Sequence, residues 1–508
     1  MGHTTEGFNL NSSACIRKGI PFSRLSISSS LHYVAEMCTP TRTQVVSERS
    51  SVTPRAKLVM SKAAKAAQVP REPFQTLPPR TYMLLVFAVS FYVLTVFRLW
   101  AKLAVFYAIT WTLNPFSEWS DVLFMLKVTL TQPHKDIPFL YNTYGFFYIF
   151  WKAFYCYPLE TILWYLDDFL FPDYRTTEIK EPLFLLGQPR SGTTMFESLL
   201  SEDSDRHCSM YLYEMRYPYL TIQYLVDFVS YLDKEFWSQR GYHFLLNWGF
   251  LSCLQETGER KNMRRLRYDL PDEDDLVFFF HTFCHFLLAG FFPHENVVRF
   301  NHRFSELPHA TRMRYMNLHR KTIQKVMYRR GYGKRYLAKW VAGWNGQLDE
   351  AKIVYPDAKY VVIVRDPKES LRSWMKLQGL LAYQFTGNNV LHNHPEIRET
   401  IIQENVLWFH KEIEFCRNTS RENLLVLRYT DIVSDIPQQV KCLYQFLGQY
   451  IEIGSKFHNV LLSSKRKQQR HKKTRINPED ELITEERIES DFPNLLREIE
   501  FSCLIPSK

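Results

Sequence analysis

Arg190, Ser191, Thr193 and Thr194 share one short loop, G-Q-P-R-S-G-T-T, set between an apolar run at 183–186 and helical spacing at 194–200. That order predicts strand, loop and helix. Such a loop points successive backbone N–H groups, reinforced by the helix N-terminus, at an anion, and phosphate is the natural occupant. Gly187 and Gly192 have the G-x-x-x-x-G spacing of a Walker loop, but Thr193 stands where the phosphate-bridging lysine belongs. One guanidinium fork and several hydroxyls suit a terminal monophosphate better than a triphosphate with magnesium. Taken alone, the glycine spacing is equally that of an ordinary βα turn.

A second buried-strand candidate, K-Y-V-V-I-V at 359–364, runs into Arg365-Asp366-Pro367 and then a helix-like segment containing Ser373. In open α/β sheets ligands bind beyond the carboxyl ends of the strands, so both loops can face one crevice. P-R-S-G-T-T after one strand and I-V-R-D-P-x-x-S-x-x-S after a later one resemble the sulfotransferases that use 3′-phosphoadenosine 5′-phosphosulfate (PAPS). The resemblance runs from about Leu166 to the C-terminus and is greatest to the group that includes the tyrosylprotein sulfotransferases. It implies an α/β fold: a P-loop-like sulfotransferase domain with a central parallel sheet flanked by helices.

Carried over by position, the resemblance gives Arg190, Ser191, Gly192, Thr193 and Thr194 the 5′-phosphosulfate end of PAPS. Arg365 and Ser373, eight positions apart, would hold the 3′-phosphate. Lys339 in L-A-K-W matches the family's mid-domain lysine, although Trp340 and Val341 replace the small polar residue and proline usual after it. Glu214, in Y-L-Y-E-M, matches the base that deprotonates the acceptor hydroxyl. Tyr429 would close over the nucleotide, with Lys465, Arg466 and Lys472 near the adenine and 3′-phosphate. The catalytic set is thus Glu214, Arg190 and Lys339, with PAPS as co-substrate and no metal. The base has a physical rationale of its own, since burial raises a carboxyl toward general-base range.

Other chemistry-bearing patterns read as structure. D-L-P-D-E-D-D at 269–275 precedes an apolar helix, the place for caps and dipole complements. His281 and His285 would give a metal only two ligands and read as core, with a reserve role as base. The basic stretch 318–330 reads as a solvated helix face. The nine cysteines contain no C-x-x-C pair and indicate no disulfide framework. Asn418-Thr419-Ser420 is a glycosylation sequon.

The elements that must position these groups follow from composition. With 508 residues, 46% hydrophobic and 15% aromatic, the chain can build a large core. Its net charge of +10 suits anionic ligands and membrane surfaces alike, while no nucleic-acid-binding signature is present. Residues 1–80 carry 11 basic residues against four acids, which fits a disordered tail or an organelle transit peptide. Residues 82–97 are almost wholly apolar between Arg80 and Arg98, and 103–113 follow Lys102. The first run is at the short end of the ~17–25 residues a span needs, and the second either extends it as one tilted helix or lies in the interface, so that 81–113 is expected to be a membrane-anchoring segment with one span. The basic excess before it favours a type II arrangement like that of Golgi enzymes, the transit peptide being the alternative. Residues 114–180 form an aromatic-rich lead-in, a packing layer and a plausible wall for an apolar acceptor, and 181–508 the catalytic domain.

The expected reaction is sulfuryl transfer from PAPS to an acceptor hydroxyl, with a lipid or sterol or a glycan favoured. Two rivals stand beside it: a phosphate-loop kinase or nucleotide hydrolase, and a membrane scaffold with a degenerate domain.

Overall fold

The computed structural model describes residues 79–116, 118–131, 139–238, 240–241, 268–302, 304–341, 343–468 and 482–493. The basic N-terminal segment, apart from its last two residues, lies outside them. By contacts the chain divides into a unit ending at Tyr92 and a unit from Val93 to Lys508. Both apolar runs of the expected anchor fall on one helix, Pro79–Thr112. Thirty-four residues at 1.5 Å each make it about 51 Å long. Phe87, Phe91, Leu94, Leu99 and Trp100 are all exposed along it, and Val86–Thr112 is long and apolar enough to cross a membrane.

In the second unit, Trp111 donates to the carbonyl of Ala153 at 2.8 Å and packs at an angle against Trp119 and edge-to-face against Phe154. The aromatic lead-in divides by face. Tyr157 and Trp164 are buried, whereas Phe147, Phe150, Trp151 and Tyr155 on the Phe139–Trp151 helix and the π-helical turn Lys152–Cys156 are exposed.

Five parallel strands form the centre, in the order β2-β3-β1-β4-β5: β1 Leu183–Gly187, β2 His207–Cys208, β3 Arg335–Trp340, β4 Lys359–Val364 and β5 Leu424–Arg428. Near-continuous apolar runs are what a parallel sheet covered on both faces demands. Successive side chains alternate between two cores, as a strand period of two requires. Phe184 and Leu186 join Ala338, Trp340, Val362 and Val426 on one face. Leu183 and Leu185 join Leu337, Val361, Ile363 and the helix residues Phe196 and Leu200 on the other. Full burial of each such side chain is worth roughly 1.5–3 kcal/mol. Alternation also puts Lys339, two residues after Leu337, on the face of the Thr193–Leu200 helix.

The central position of β1, paired in register with β3 (Leu185 with Lys339) and β4 (Gly187 with Ile363), sets three C-terminal loops side by side. The 318–330 stretch belongs to the helix His309–Arg330, and it corrects the solvated-face reading: Leu318, His319, Thr322, Ile323, Gln324, Lys325, Val326 and Met327 are buried.

Candidate active site

At the end of β1 the chain turns through Gln188 to Gly192 and enters the Thr193–Leu200 helix. Arg190 has φ +70° and Gly192 φ +96°. Both lie in the left-handed region, where glycine is at ease and arginine is strained, and such strain collects at ligand-binding turns. Glycine is required twice. A Cβ at Gly187 would fall 2.4 Å from Ser191 Oγ and 2.8 Å from the Ile363 carbonyl, and one at Gly192 would fall 2.8 Å from the Tyr429 ring.

Four of the expected nucleotide residues meet here although they are far apart in sequence. Arg190 Nε donates to Ser373 Oγ at 3.1 Å, and Arg365 donates to the Arg190 carbonyl at 2.8 Å. The Arg365 guanidinium also pairs with Glu369 at 2.8 Å and lies 4.3 Å from the centre of the Tyr429 ring. Asp366 caps the Pro367–Thr386 helix by accepting the Lys368 N–H, with proline at the first turn where its missing donor costs nothing. That cap fixes the helix carrying Ser373 against the first loop. Two guanidinium groups at the ends of neighbouring strands make a local field that favours an anion.

Lys339 reaches the same loop from β3. Its side chain is fully buried, and Nζ donates to Thr194 Oγ1 at 3.0 Å. Around it stand Glu273 at 3.3 Å, Asp272 at 3.5 Å and Glu197 at 3.6 Å. The 272–275 turn is fastened to β3 by its own backbone and acids. Asp274 N–H donates to the Lys339 carbonyl at 2.9 Å, Asp275 accepts the Val341 N–H at 3.2 Å, and Asp274 accepts the Tyr336 hydroxyl. Burial pushes Asp274 well above the usual carboxylate range, with the Tyr336 hydrogen bond working against that shift. Burial likewise pushes Glu273 up to about 7, with Lys339 opposing.

A model of the sulfotransferase family matches residues 182–452. The chain belongs to the sulfotransferase family. Among solved structures, the sulfotransferase STF9 from Mycobacterium avium is 14% identical with a TM-score of 0.56, covering 78% of this chain and 95% of its own. The sulfotransferase STF1 from Mycobacterium tuberculosis H37Rv is 15% identical with a TM-score of 0.50, covering 77% of this chain and 98% of its own. At these identities the likeness is one of fold. No match was found among curated proteins.

The remaining expected residues of this sulfotransferase sit elsewhere. Glu214 is wholly buried at the Leu212–Arg216 helix, and both of its oxygens are engaged. One accepts from Arg329 and from Arg330 Nε at 2.8 Å, the other from the Tyr211 N–H at 2.6 Å and Arg330 at 2.7 Å. His281 contacts Glu160 at 3.0 Å and the Met215 carbonyl at 2.9 Å, and His285 lies 3.7 Å from Asp275. Both histidines are buried. Lys465 and Arg466 fall on the Lys456–Gln468 helix, and Lys472 lies outside the described residues. Among the described residues no cluster of three or more His, Cys, Asp or Glu is placed to hold a metal, and no disulfide joins the five described cysteines.

Asp272 and Glu273 are the neighbours that sequence reasoning missed, having assigned them to helix capping. The signal was the excess: four acids stand together at 272–275 where one cap suffices.

Proposed function

We propose that this sulfotransferase takes its sulfuryl group from PAPS and delivers it to the hydroxyl of a lipid, sterol or glycan. The observation that carries the reading is the joining of Arg190, Ser373, Arg365 and Tyr429 at the ends of adjacent strands. The residues fit a phosphosulfate nucleotide on two further counts. Ser191 Oγ is buried with no hydrogen-bond partner among the described residues, an orphan that a phosphate oxygen would satisfy. Gly187 and Gly192 leave bare backbone where a side chain would fill the cradle.

When bound, PAPS would supply the sulfuryl group and a leaving phosphate. Arg190, Ser191, Gly192, Thr193 and Thr194 hold the 5′ end in this reading, Arg365 and Ser373 the 3′-phosphate, and Tyr429 the nucleotide's flank. Lys465, Arg466 and Lys472 remain proposed contacts to the adenine side. Fixed cations at Arg190 and Lys339 neutralise charge developing on the bridging oxygen, so the proposal includes no metal. The exposed apolar helix Pro79–Thr112 and the basic load before it support a type II anchor in the Golgi. An aromatic layer exposed beside its root favours an acceptor with apolar parts.

Calorimetric titration of the full chain in detergent with 3′-phosphoadenosine 5′-phosphate tests this directly. Micromolar binding that survives EDTA and is lost in Arg190→Ala and Arg365→Ala is expected. A folded protein that ignores this nucleotide, or binds ATP with magnesium instead, overturns the reading in favour of a scaffold or a phosphate-loop kinase.

A further inference from the structure

We propose that Glu273 is the group that takes the acceptor proton, and that the acidic turn 272–275 exists to hold it at the mouth of the phosphate loop. This assignment rests on the sulfuryl-transfer reading above. A general base must reach the hydroxyl it deprotonates, and geometry precedes acidity in choosing it. Glu273 Oε1 lies 3.3 Å from Lys339 Nζ, which itself bonds Thr194 in the loop. Glu273 also lies within electrostatic range of Arg190.

Three carboxylates border Lys339, and access separates them. The Glu197 side chain is fully buried and that of Asp272 is 12% exposed, whereas Glu273 is 21% exposed. Asp272 has a further duty, accepting the Glu273 N–H at 2.9 Å and thereby shaping the turn. Asp274 is engaged by Tyr336 of β3 and Asp275 by Val341 just past its end. Of the acids in the turn, Glu273 is therefore the one left to face an incoming acceptor.

Acidity agrees with position. The charged groups acting on Glu273 are Lys339 from β3, Asp275 and Asp272 from its own turn, and Arg190 from the loop; Glu197 and Thr194 of the Thr193–Leu200 helix reach it only through Lys339. Burial pushes Glu273 up to about 7; Lys339 opposes the shift, and Asp275 and Asp272 add to it. A carboxylate of that kind is matched to accepting a proton near neutral pH. In the transfer the acceptor oxygen forms the new O–S bond and the S–O bond to the 5′-phosphate breaks. 3′-Phosphoadenosine 5′-phosphate leaves with that electron pair, and the acceptor proton passes to Glu273.

The test compares wild type, Glu273→Gln and Glu214→Gln as full chains. Three readouts are taken: calorimetry with 3′-phosphoadenosine 5′-phosphate, release of labelled sulfate from bound PAPS to water, and Tm from pH 5 to 8. Glu273→Gln is expected to keep its nucleotide affinity within a few-fold and to release sulfate about 10²-fold more slowly, without the wild-type rise through neutral pH. The Tm readout does not depend on turnover. A carboxyl raised in the fold binds its proton more tightly there than in the unfolded chain. Wild type therefore loses stability relative to Glu273→Gln as pH climbs from about 5 toward and through 7, and the two converge at acid pH. A Tm offset independent of pH, with sulfate release unaltered, reveals a structural glutamate and overturns the assignment. So does loss of the neutral-pH rise in folded Glu214→Gln while Glu273→Gln keeps it. If wild type binds no 3′-phosphoadenosine 5′-phosphate, the sulfuryl-transfer reading itself falls and takes this assignment with it.

Discussion

Glu214 and Glu273 sit in clusters of opposite charge balance. Around Glu214 two arginines and a backbone N–H converge on one carboxylate that solvent does not reach. Around Glu273 one lysine is shared by Asp272 and Glu197 as well, and the carboxylate keeps an open edge. Glu214 is enclosed by its ion pairs. Glu273 is pushed up to about 7 by burial, with Lys339 opposing and Asp275 and Asp272 adding to the shift. Two glutamates of one chain thus differ in what surrounds them and in whether solvent reaches them, and residue type alone does not separate them.

The sharpest way to break the comparison is Glu214→Ala. It leaves Arg329 and Arg330 facing a buried gap, and removing one partner of a buried pair costs about 3–5 kcal/mol. Urea unfolding should show that loss, and a loss below 1 kcal/mol would mean that the cluster is not structural.

Lys339→Met attacks the other cluster. Without its cation the loop should lose about 10²–10³ in turnover, as when one oxyanion donor is removed. Because Lys339 is what holds Glu273 down, the pH limb assigned to Glu273 should also move upward in this variant. A limb that stays in place would separate the two groups.

Arg365→Ala removes the proposed 3′-phosphate contact, outside both clusters. Charge-assisted hydrogen bonds contribute about 1.5–3 kcal/mol, so affinity for 3′-phosphoadenosine 5′-phosphate should fall by about 10- to 150-fold, read by calorimetry. Pre-bound nucleotide turnover should change less than in Lys339→Met. Glu485→Ala provides the baseline. It breaks an ion pair with Arg372 in which the glutamate is half exposed, and such pairs contribute about 0.2–1 kcal/mol to stability. Neither nucleotide affinity nor the pH limb should respond.

Much of this architecture could be read from local pattern. The runs at 183–186 and 359–364 became β1 and β4, because strands buried on both faces need unbroken apolar sequence. Arg190 and Ser373 lie 183 positions apart, yet the convergence of their segments was legible because the loop carrying Arg190 leaves β1 and the helix carrying Ser373 is entered from β4. The two apolar halves flanking Arg98 and Lys102 were open in sequence between one helix and a span with an interfacial segment, and the structure joins them in one helix.

The charge clusters were not legible, because their composition is settled by partners that arrive from far away. Arg329 and Arg330 reach Glu214 only once the His309–Arg330 helix has packed, 115 and 116 residues downstream. Asp275 shows the same limit at a single residue. It occupies the N-cap position of the Leu276–His281 helix, as the acidic run suggested, but its side chain makes no capping bond and accepts from Val341, just past the end of β3, instead. Local propensity placed the residue, and tertiary contact chose its partner.

The central place of β1 in the sheet has a consequence for synthesis. Its strand partners begin at Arg335 and Lys359, roughly 150 residues after Leu183. At ~5–20 residues per second, ribosomes need about 8–30 s to make that intervening chain. Throughout that interval L-F-L-L-G waits as an unpaired, wholly apolar segment, and distant pairings of this kind make folding slow and aggregation-prone. The strand that carries the phosphate loop is finished early and folded late, so the yield of active enzyme in cells depends on what shelters it during the wait.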